Sequence, residues 1–471
     1  MKILKNIEPQ RVFDYFEEIC AIPHGSGDTA KMTDYCINFA KTHNLDYYTD
    51  RLGNVIIRKP ASKGYEEHPT VIIQGHLDMV CEKEQDCEID FLTDGLSIRM
   101  DGDFISADGT TLGGDDGIAV AMALAILEDD SLIHPPLEIL FTVDEETGMY
   151  GATDLDGSVL KGKTLINIDS EVEGILTVGC AGGASAAITL PLTTESVTKP
   201  CKKIVLSGLI GGHSGVEIDK GRINSNIAMG EFLSSIKDDY RIVSLAGGLK
   251  DNAIPRYTEC VISTDADITP YATDFCKAKA TPTDPDLTIS VVDEEGNGIA
   301  FDAESTEKIR KLLSTVPNGI IAMNSQIEGL VETSLNLGIM NTDQKSIKIS
   351  FATRSSVNAD KEKLLKQLEE IAHSLDGTIE FYGAYPAWEY KADSTLREVM
   401  KETCVELYGK EPVIDVIHAG LECGILSDKI DGLDAVSIGP NMFDIHTPSE
   451  RLSISSTKRT YDYVCKILQK L

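Results

Sequence analysis

Val71-Ile72-Ile73-Gln74-Gly75-His76-Leu77-Asp78-Met79 decides how the rest of the chain is read. Its first half is a short apolar run, which predicts a buried strand. Side chains on a strand alternate between faces, so His76 and Asp78 leave its end on the same side. A histidine beside a carboxylate at such a place suits a metal ligand and the group that orients its ring. A hydrogen-bonded structural pair is the competing reading, and other segments must decide.

The same design recurs along the chain. Leu137-Glu138-Ile139-Leu140-Phe141-Thr142-Val143 reads as a strand and runs straight into Asp144-Glu145-Glu146-Thr147-Gly148. Three adjacent acids repel one another, and after a buried strand a bound cation explains them better than a solvated loop. Leu165-Ile166-Asn167-Ile168 ends in Asp169, and Ala435-Val436-Ser437-Ile438-Gly439-Pro440 leads to a loop containing His446. Leu112-Gly113-Gly114-Asp115-Asp116-Gly117 opens the apolar, small-residue helix predicted for 118–127. Its glycines permit a tight turn, and its two acids sit where the helix dipole favours negative charge. They are either a capping pair or one carboxylate turned inward to a cation.

Strands alternating with helices predict an α/β fold with a mostly parallel sheet. Ligands collect at the carboxyl ends of the strands in such sheets. His76, Asp115, Glu145 or Glu146, Asp169 and His446 all fall just after strands or at a helix start. Imidazoles and carboxylates converging there match a pair of divalent cations with oxygen and nitrogen ligands.

Between about 183 and 385 the pattern changes. Strand-like runs at 203–207, 242–245, 258–263, 287–292, 330–337 and 346–352 alternate with amphipathic helices near 220–236, 304–314 and 359–374. A separate α+β domain inserted into the first is expected. The division is then 1–182 and 386–471 for the first domain and 183–385 for the insert.

Composition narrows the function. The 471 residues carry 43 basic and 76 acidic side chains, a formal charge of -33. Such a surface repels nucleic acid and anionic membranes, so neither is an expected partner. The N-terminal stretch lacks the apolar core of a signal peptide, and no apolar run reaches membrane-spanning length. The 11 cysteines are scattered, without a CxxC pair, and read as reduced thiols of a cytoplasmic protein.

Gly75-His76-Leu77-Asp78, Gly113-Gly114-Asp115-Asp116-Gly117, Asp144-Glu145-Glu146-Thr147-Gly148, Asp169-Ser170-Glu171 and His446-Thr447-Pro448-Ser449-Glu450 together resemble the co-catalytic zinc exopeptidases of the M20 type. Their order, spacing and the large insert are most similar to the aminoacyl-histidine dipeptidase branch. The resemblance implies that Asp115 bridges two metals, His76 and Asp169 complete one site, and Glu146 and His446 complete the other. It implies that Asp78 orients the His76 ring, that Glu145 is the general base and acid, and that the Asp115–Asp116 peptide is cis. The family often has Asn where this chain has Asp116, which puts a possible extra negative charge beside the metals. Zinc is the first choice of cation, with manganese and cobalt as alternatives. The resemblance implies that 1–182 with 386–471 is the catalytic domain and the insert 183–385 a lid, in which His213 donates to the oxyanion and Asn252 and Arg354 contact substrate, Arg354 through the terminal carboxylate. Glu422 is expected at the substrate's amino group, with His418 nearby. The implied reaction is hydrolysis of unblocked dipeptides, Xaa-His and broader, by a hydroxide held between the metals. An M20 carboxypeptidase or N-acyl amino acid deacylase is the alternative. Small peptides are the expected partners, and a homodimer through the lid the expected assembly.

Overall fold

The sheet that carries the candidate residues is built outward from Val71–His76 and Leu137–Thr142, strands buried at every position. Side chains hidden on both faces explain why these segments read as nearly unbroken apolar runs. A computed structural model describes residues 3–325, 327 and 329–471; Met1, Lys2, Gln326 and Glu328 lie outside the described residues. The eight strands run in the spatial order Asp46–Thr49, Val55–Lys59, Leu137–Thr142, Val71–His76, Thr164–Asn167, Asp434–Ser437, Ile175–Cys180 and Val413–Ile417. The four central strands pair in parallel. Antiparallel strands flank them on both sides. The parallel centre therefore gathers its carboxyl ends on one edge, which is where a site belongs.

Gly114–Glu128 is buried along nearly its whole length and packs against both Val71–His76 and the helix Gln10–Cys20. Small residues allow that closeness. A Cβ on Gly75 would lie 2.5 Å from Asp116 Oδ2 and 2.9 Å from the Ala119 Cβ, so only glycine fits there. Phe13 and Phe16 on the helix Gln10–Cys20 and Phe141 on the strand Leu137–Thr142 are fully buried. Each contributes about 1.5–3 kcal/mol relative to exposure.

A smaller sheet of Met442–Phe443, Arg451–Ser453, Phe104–Ala107 and Ile98–Asp101 closes the loop that carries His446. Met442 pairs with Leu452 and Phe443 with Arg451, so the loop is the turn of a hairpin. The helices Thr395–Tyr408 and Ile454–Leu468 complete this part of the chain.

The chain divides into two compact units. One comprises Met1–Cys180, Tyr390–Val416 and Leu421–Leu471, and the other Ala181–Glu389 and Ile417–Gly420. The second unit holds a nine-stranded sheet whose recorded neighbours are antiparallel. Ser225–Ser235, Ala303–Thr315 and Asn358–Ser374 supply helical cover for its core, with Phe232, Leu312, Phe351 and Leu368 among the buried side chains. The helix Thr269–Lys279 and the strand Gly319–Met323 belong to this unit too and have weak apolar patterns. Among the described residues no helix is long and apolar enough to cross a membrane.

Candidate active site

Asp115 stands at the centre of the cluster. Its Oδ1 lies 3.1 Å from His76 Nε2 and its Oδ2 lies 3.1 Å from His446 Nε2. His76 Nε2 is also 3.7 Å from Asp169 Oδ1, and His446 Nε2 is 2.9 Å from Glu146 Oε1. One carboxylate therefore faces two imidazoles, each backed by a further acid. His76, Asp115, Glu146, Asp169 and His446, drawn from segments far apart in sequence, come together here. The two ends differ in exposure: the His76 side chain is 1% exposed and that of His446 is 44% exposed.

The backbone explains how the residues are aimed. His76 ends the central strand Val71–His76, and Glu145, Glu146 and Asp169 follow the neighbouring strands. Asp115 and Asp116 depart from helical dihedrals although they lie inside Gly114–Glu128, and the peptide between them is cis. His446 and Asp144 adopt φ of 61° and 56°, the left-handed region that such residues rarely enter. A positive φ outside glycine is uncommon, and aspartate and histidine are among the residues that adopt it most readily.

Asp78 acts through both its main chain and its side chain. His76 Nδ1 lies 2.9 Å from the main-chain oxygen of Asp78 and 3.5 Å from its Oδ1. The carbonyl is the nearer partner, and because it only accepts, it fixes the ring proton on Nδ1 and turns the Nε2 lone pair to the site. The carboxylate instead accepts from the Glu145 and Glu146 amides at 3.0 and 3.3 Å and from Ser26 Oγ at 2.8 Å. Asp78 thus holds both the ring and the turn bearing the two glutamates. Ser26 had no part in the sequence reading.

Electrostatics at this cluster favour added positive charge. Hydrogen bonds that Asp115 and Glu146 accept from it push His446 up to about 10. Burial raises Asp169 to about 6 against the opposing pull of His76. Burial, and after it the negative charge of Asp169, pushes Asp116 well above the usual carboxylate range. Its Oδ2 accepts the His76 amide at 3.1 Å. Glu145 is likewise raised, first by burial and then by the negative charges of Asp169, Glu422 and Glu146, against the opposing pull of His76.

The residues fit divalent cations. His76 with Asp116 and Asp169, His76 with Glu145 and Glu146, and Asp115 with Glu146 and His446 each bring potential ligand atoms within 4.8 Å of one another. The buried Oδ2 of Asp169 has no hydrogen-bond partner. Oxygen and imidazole donors with an unsatisfied buried carboxylate atom are the donor set that zinc, manganese or cobalt accepts.

Glu422 is fully buried in the same unit. Its Oε2 accepts from Gln74 Nε2 and Thr142 Oγ1, both at 2.6 Å, and Asn167 Nδ2 donates to Gln74 Oε1 at 2.6 Å. Gln74, Thr142 and Asn167 precede the ligand-bearing ends of three adjacent strands, so this network braces those ends. Burial raises Glu422 to about 7.

In the other unit, His213 pairs with Ala253, and its Nδ1 accepts from the amides of Gly215 and Val216 at 3.2 and 3.3 Å. With Nδ1 accepting, the neutral ring carries its proton on Nε2 as a free-standing donor. Burial, then the charge of Arg354, lowers its pKa and keeps it neutral. Arg354 Nη1 donates to the Tyr385 hydroxyl at 3.0 Å, and no carboxylate within 4.0 Å pairs with it among the described residues. Asn252 is exposed, and its main-chain oxygen accepts the Ser214 amide at 2.9 Å. His418 is buried, with Nε2 2.7 Å from Ser334 Oγ.

Known proteins are similar to this chain over nearly its whole length. The model of peptidase family M20/M25/M40 matches residues 72–470. The chain is 36% identical over 483 residues to the cytosol non-specific dipeptidase of Escherichia coli K12, covering 100% of this chain and 99% of that protein. The crystal structure of aminoacylhistidine dipeptidase from Vibrio alginolyticus superposes with a TM-score of 0.91 at 34% identity, over 99% of this chain and 98% of that one. Aminopeptidase PepT from Bacillus cereus has the same fold, with a TM-score of 0.59 at 16% identity over 98% of this chain and 99% of that one.

Proposed function

The chain belongs to peptidase family M20/M25/M40, and from that premise we propose that it hydrolyses unblocked dipeptides, Xaa-His among them, at a centre of two divalent cations. The observation that carries this is the placement of Asp115, one oxygen 3.1 Å from each of two imidazole nitrogens. His76 and Asp169 would hold one cation and Glu146 and His446 the other, with the carboxylate of Asp115 available to both. Zinc is the first choice. Cations held there supply Lewis acidity, which polarises a scissile carbonyl and makes a water molecule acidic near pH 7.

The side chains do the rest. Glu145 takes a proton from the attacking water on a carboxylate oxygen and passes it to the leaving amine. Asp78 keeps Glu145 in place by binding its amide, and its carbonyl keeps the His76 ring oriented. The inserted unit serves as the lid. His213 donates from Nε2 to the developing oxyanion, Asn252 contacts the substrate backbone, and the guanidinium of Arg354, bonded to the Tyr385 hydroxyl through Nη1, receives the terminal carboxylate. The full burial of Glu422 supports a bracing role beneath the ligands over direct contact with substrate.

The same reading makes the protein cytoplasmic, in keeping with 11 free cysteines, and a homodimer. Supporting the dimer, the edge strand Gly319–Met323 exposes Ile320, Ile321 and Met323. Light scattering of the purified chain measures that mass directly. The activity is tested with one purified sample assayed on Xaa-His, other dipeptides, tripeptides and N-acetyl amino acids. Free dipeptides should be cleaved fastest. Preferential cleavage of acetylated substrates overturns the proposal.

A further inference from the structure

Glu450 follows His446 by four residues and is 3% exposed. Its Oε2 accepts the amides of Leu112 and Gly113 at 2.7 and 3.2 Å, and its Oε1 accepts that of Gly114 at 2.8 Å. Three successive main-chain N–H groups converging at a helix start form an anion-binding nest. Here a carboxylate of the same chain fills it.

The occupant matters because of what lies next to it. A short acid at a helix start can instead cap the free amides there. Asp115 and Asp116 follow directly after these amides with non-helical dihedrals, and no side chain caps the helix at Gly113. Glu450 occupies the amides of Leu112, Gly113 and Gly114. The two oxygens of Asp115 are left facing His76 and His446 instead. The contact also ties the turn carrying Asp115 to the hairpin carrying His446, since Glu450 immediately precedes the hairpin strand Arg451–Ser453.

We propose that Glu450 is a positioning residue: it occupies the amides of residues 112–114, thereby presenting both oxygens of Asp115 to the cation pair and fixing Asp115 relative to His446. This rests on the functional reading above and assigns Glu450 no contact with substrate.

The test uses the full chain, stripped with a chelator and titrated with Zn2+ alone in competition with a chromophoric chelator, with bound metal counted by mass spectrometry. The parent should take up two equivalents. In Glu450→Gln, which keeps the shape but sets an amide against an N–H, binding of the weaker equivalent should fall about 10- to 100-fold, as for partners that orient metal ligands. The kcat should return toward the parent value as Zn2+ is raised, with KM little changed. Glu450→Ala should show at least as large an effect. Gly114→Ala gives a milder version, because its Cβ would lie 3.2 Å from Glu450 Oε1. Should Glu450→Ala fail to fold, the other two variants decide. Zinc binding within threefold of the parent in Glu450→Gln overturns the proposal, as does lost activity that added zinc does not restore. If the parent itself takes up no second equivalent, the functional reading falls, and this proposal with it.

Discussion

Replacing Asp78 by asparagine separates two roles that one residue performs. The ring of His76 is anchored by the main-chain oxygen of Asp78 at 2.9 Å, which the substitution leaves in place. The carboxylate accepts two amides, those of Glu145 and Glu146, and the Ser26 hydroxyl. An asparagine offers one oxygen and one NH2, so at least one of the amides loses a charged acceptor. Each such bond contributes about 1.5–3 kcal/mol. The turn bearing Glu145 then shifts, and the loss appears in the barrier as a roughly 10- to 150-fold fall in kcat. Metal affinity should fall less than tenfold, since only Glu146 among the ligands is disturbed. The assay is kcat and KM on an Xaa-His dipeptide at saturating zinc, with zinc affinity measured separately. A kcat within threefold of the parent refutes the reasoning. So does an affinity loss as large as the rate loss, with activity restored by excess zinc, because the carboxylate would then be orienting the ring.

Glu145→Gln should lower kcat by at least about 100-fold through loss of the proton carrier, while metal content by mass spectrometry stays near that of the parent. Arg354→Ala should raise KM for free dipeptides at least tenfold and leave C-terminally amidated ones nearly unchanged; equal losses on both would remove Arg354 from carboxylate recognition. Dialysis against a chelator should abolish turnover, and zinc, manganese or cobalt should restore it. Stability should fall in acid because of His418, which burial and then the charge of Arg354 lower to about 4 in the fold. Its unfolded value is about 6.5, so the fold keeps the full benefit above that pH and loses up to about 3 kcal/mol between pH 6.5 and 4. Denaturant midpoints at pH 7 and pH 5 should differ less in His418→Gln than in the parent.

The strands bearing the site were readable because each is apolar along its length, as a strand covered on both faces must be. Acids directly after Leu137–Thr142 and Thr164–Asn167 then stood out against that background. The sheet containing Ile98–Asp101 was not readable, since three of that strand's four residues are exposed and carry no burial signal. Whether Asp115 capped its helix or turned inward was undecidable locally. The answer lies in Glu450, 336 positions beyond the Gly114 amide it accepts. The share of the work done by the Asp78 carbonyl was equally hidden, because main-chain contacts leave no trace in residue type. Glu422 looked like a loop residue near the substrate, and only the packed fold reveals its bonds to Gln74 and Thr142.

The sharing of Asp115 between two cations is tested most directly by an anomalous difference map from zinc-loaded crystals, recorded at the zinc edge. The account predicts two peaks about 3.5–4 Å apart, one beside His76 and Asp169, the other beside Glu146 and His446, with Asp115 between them. A single peak, or two that do not both contact Asp115, contradicts it.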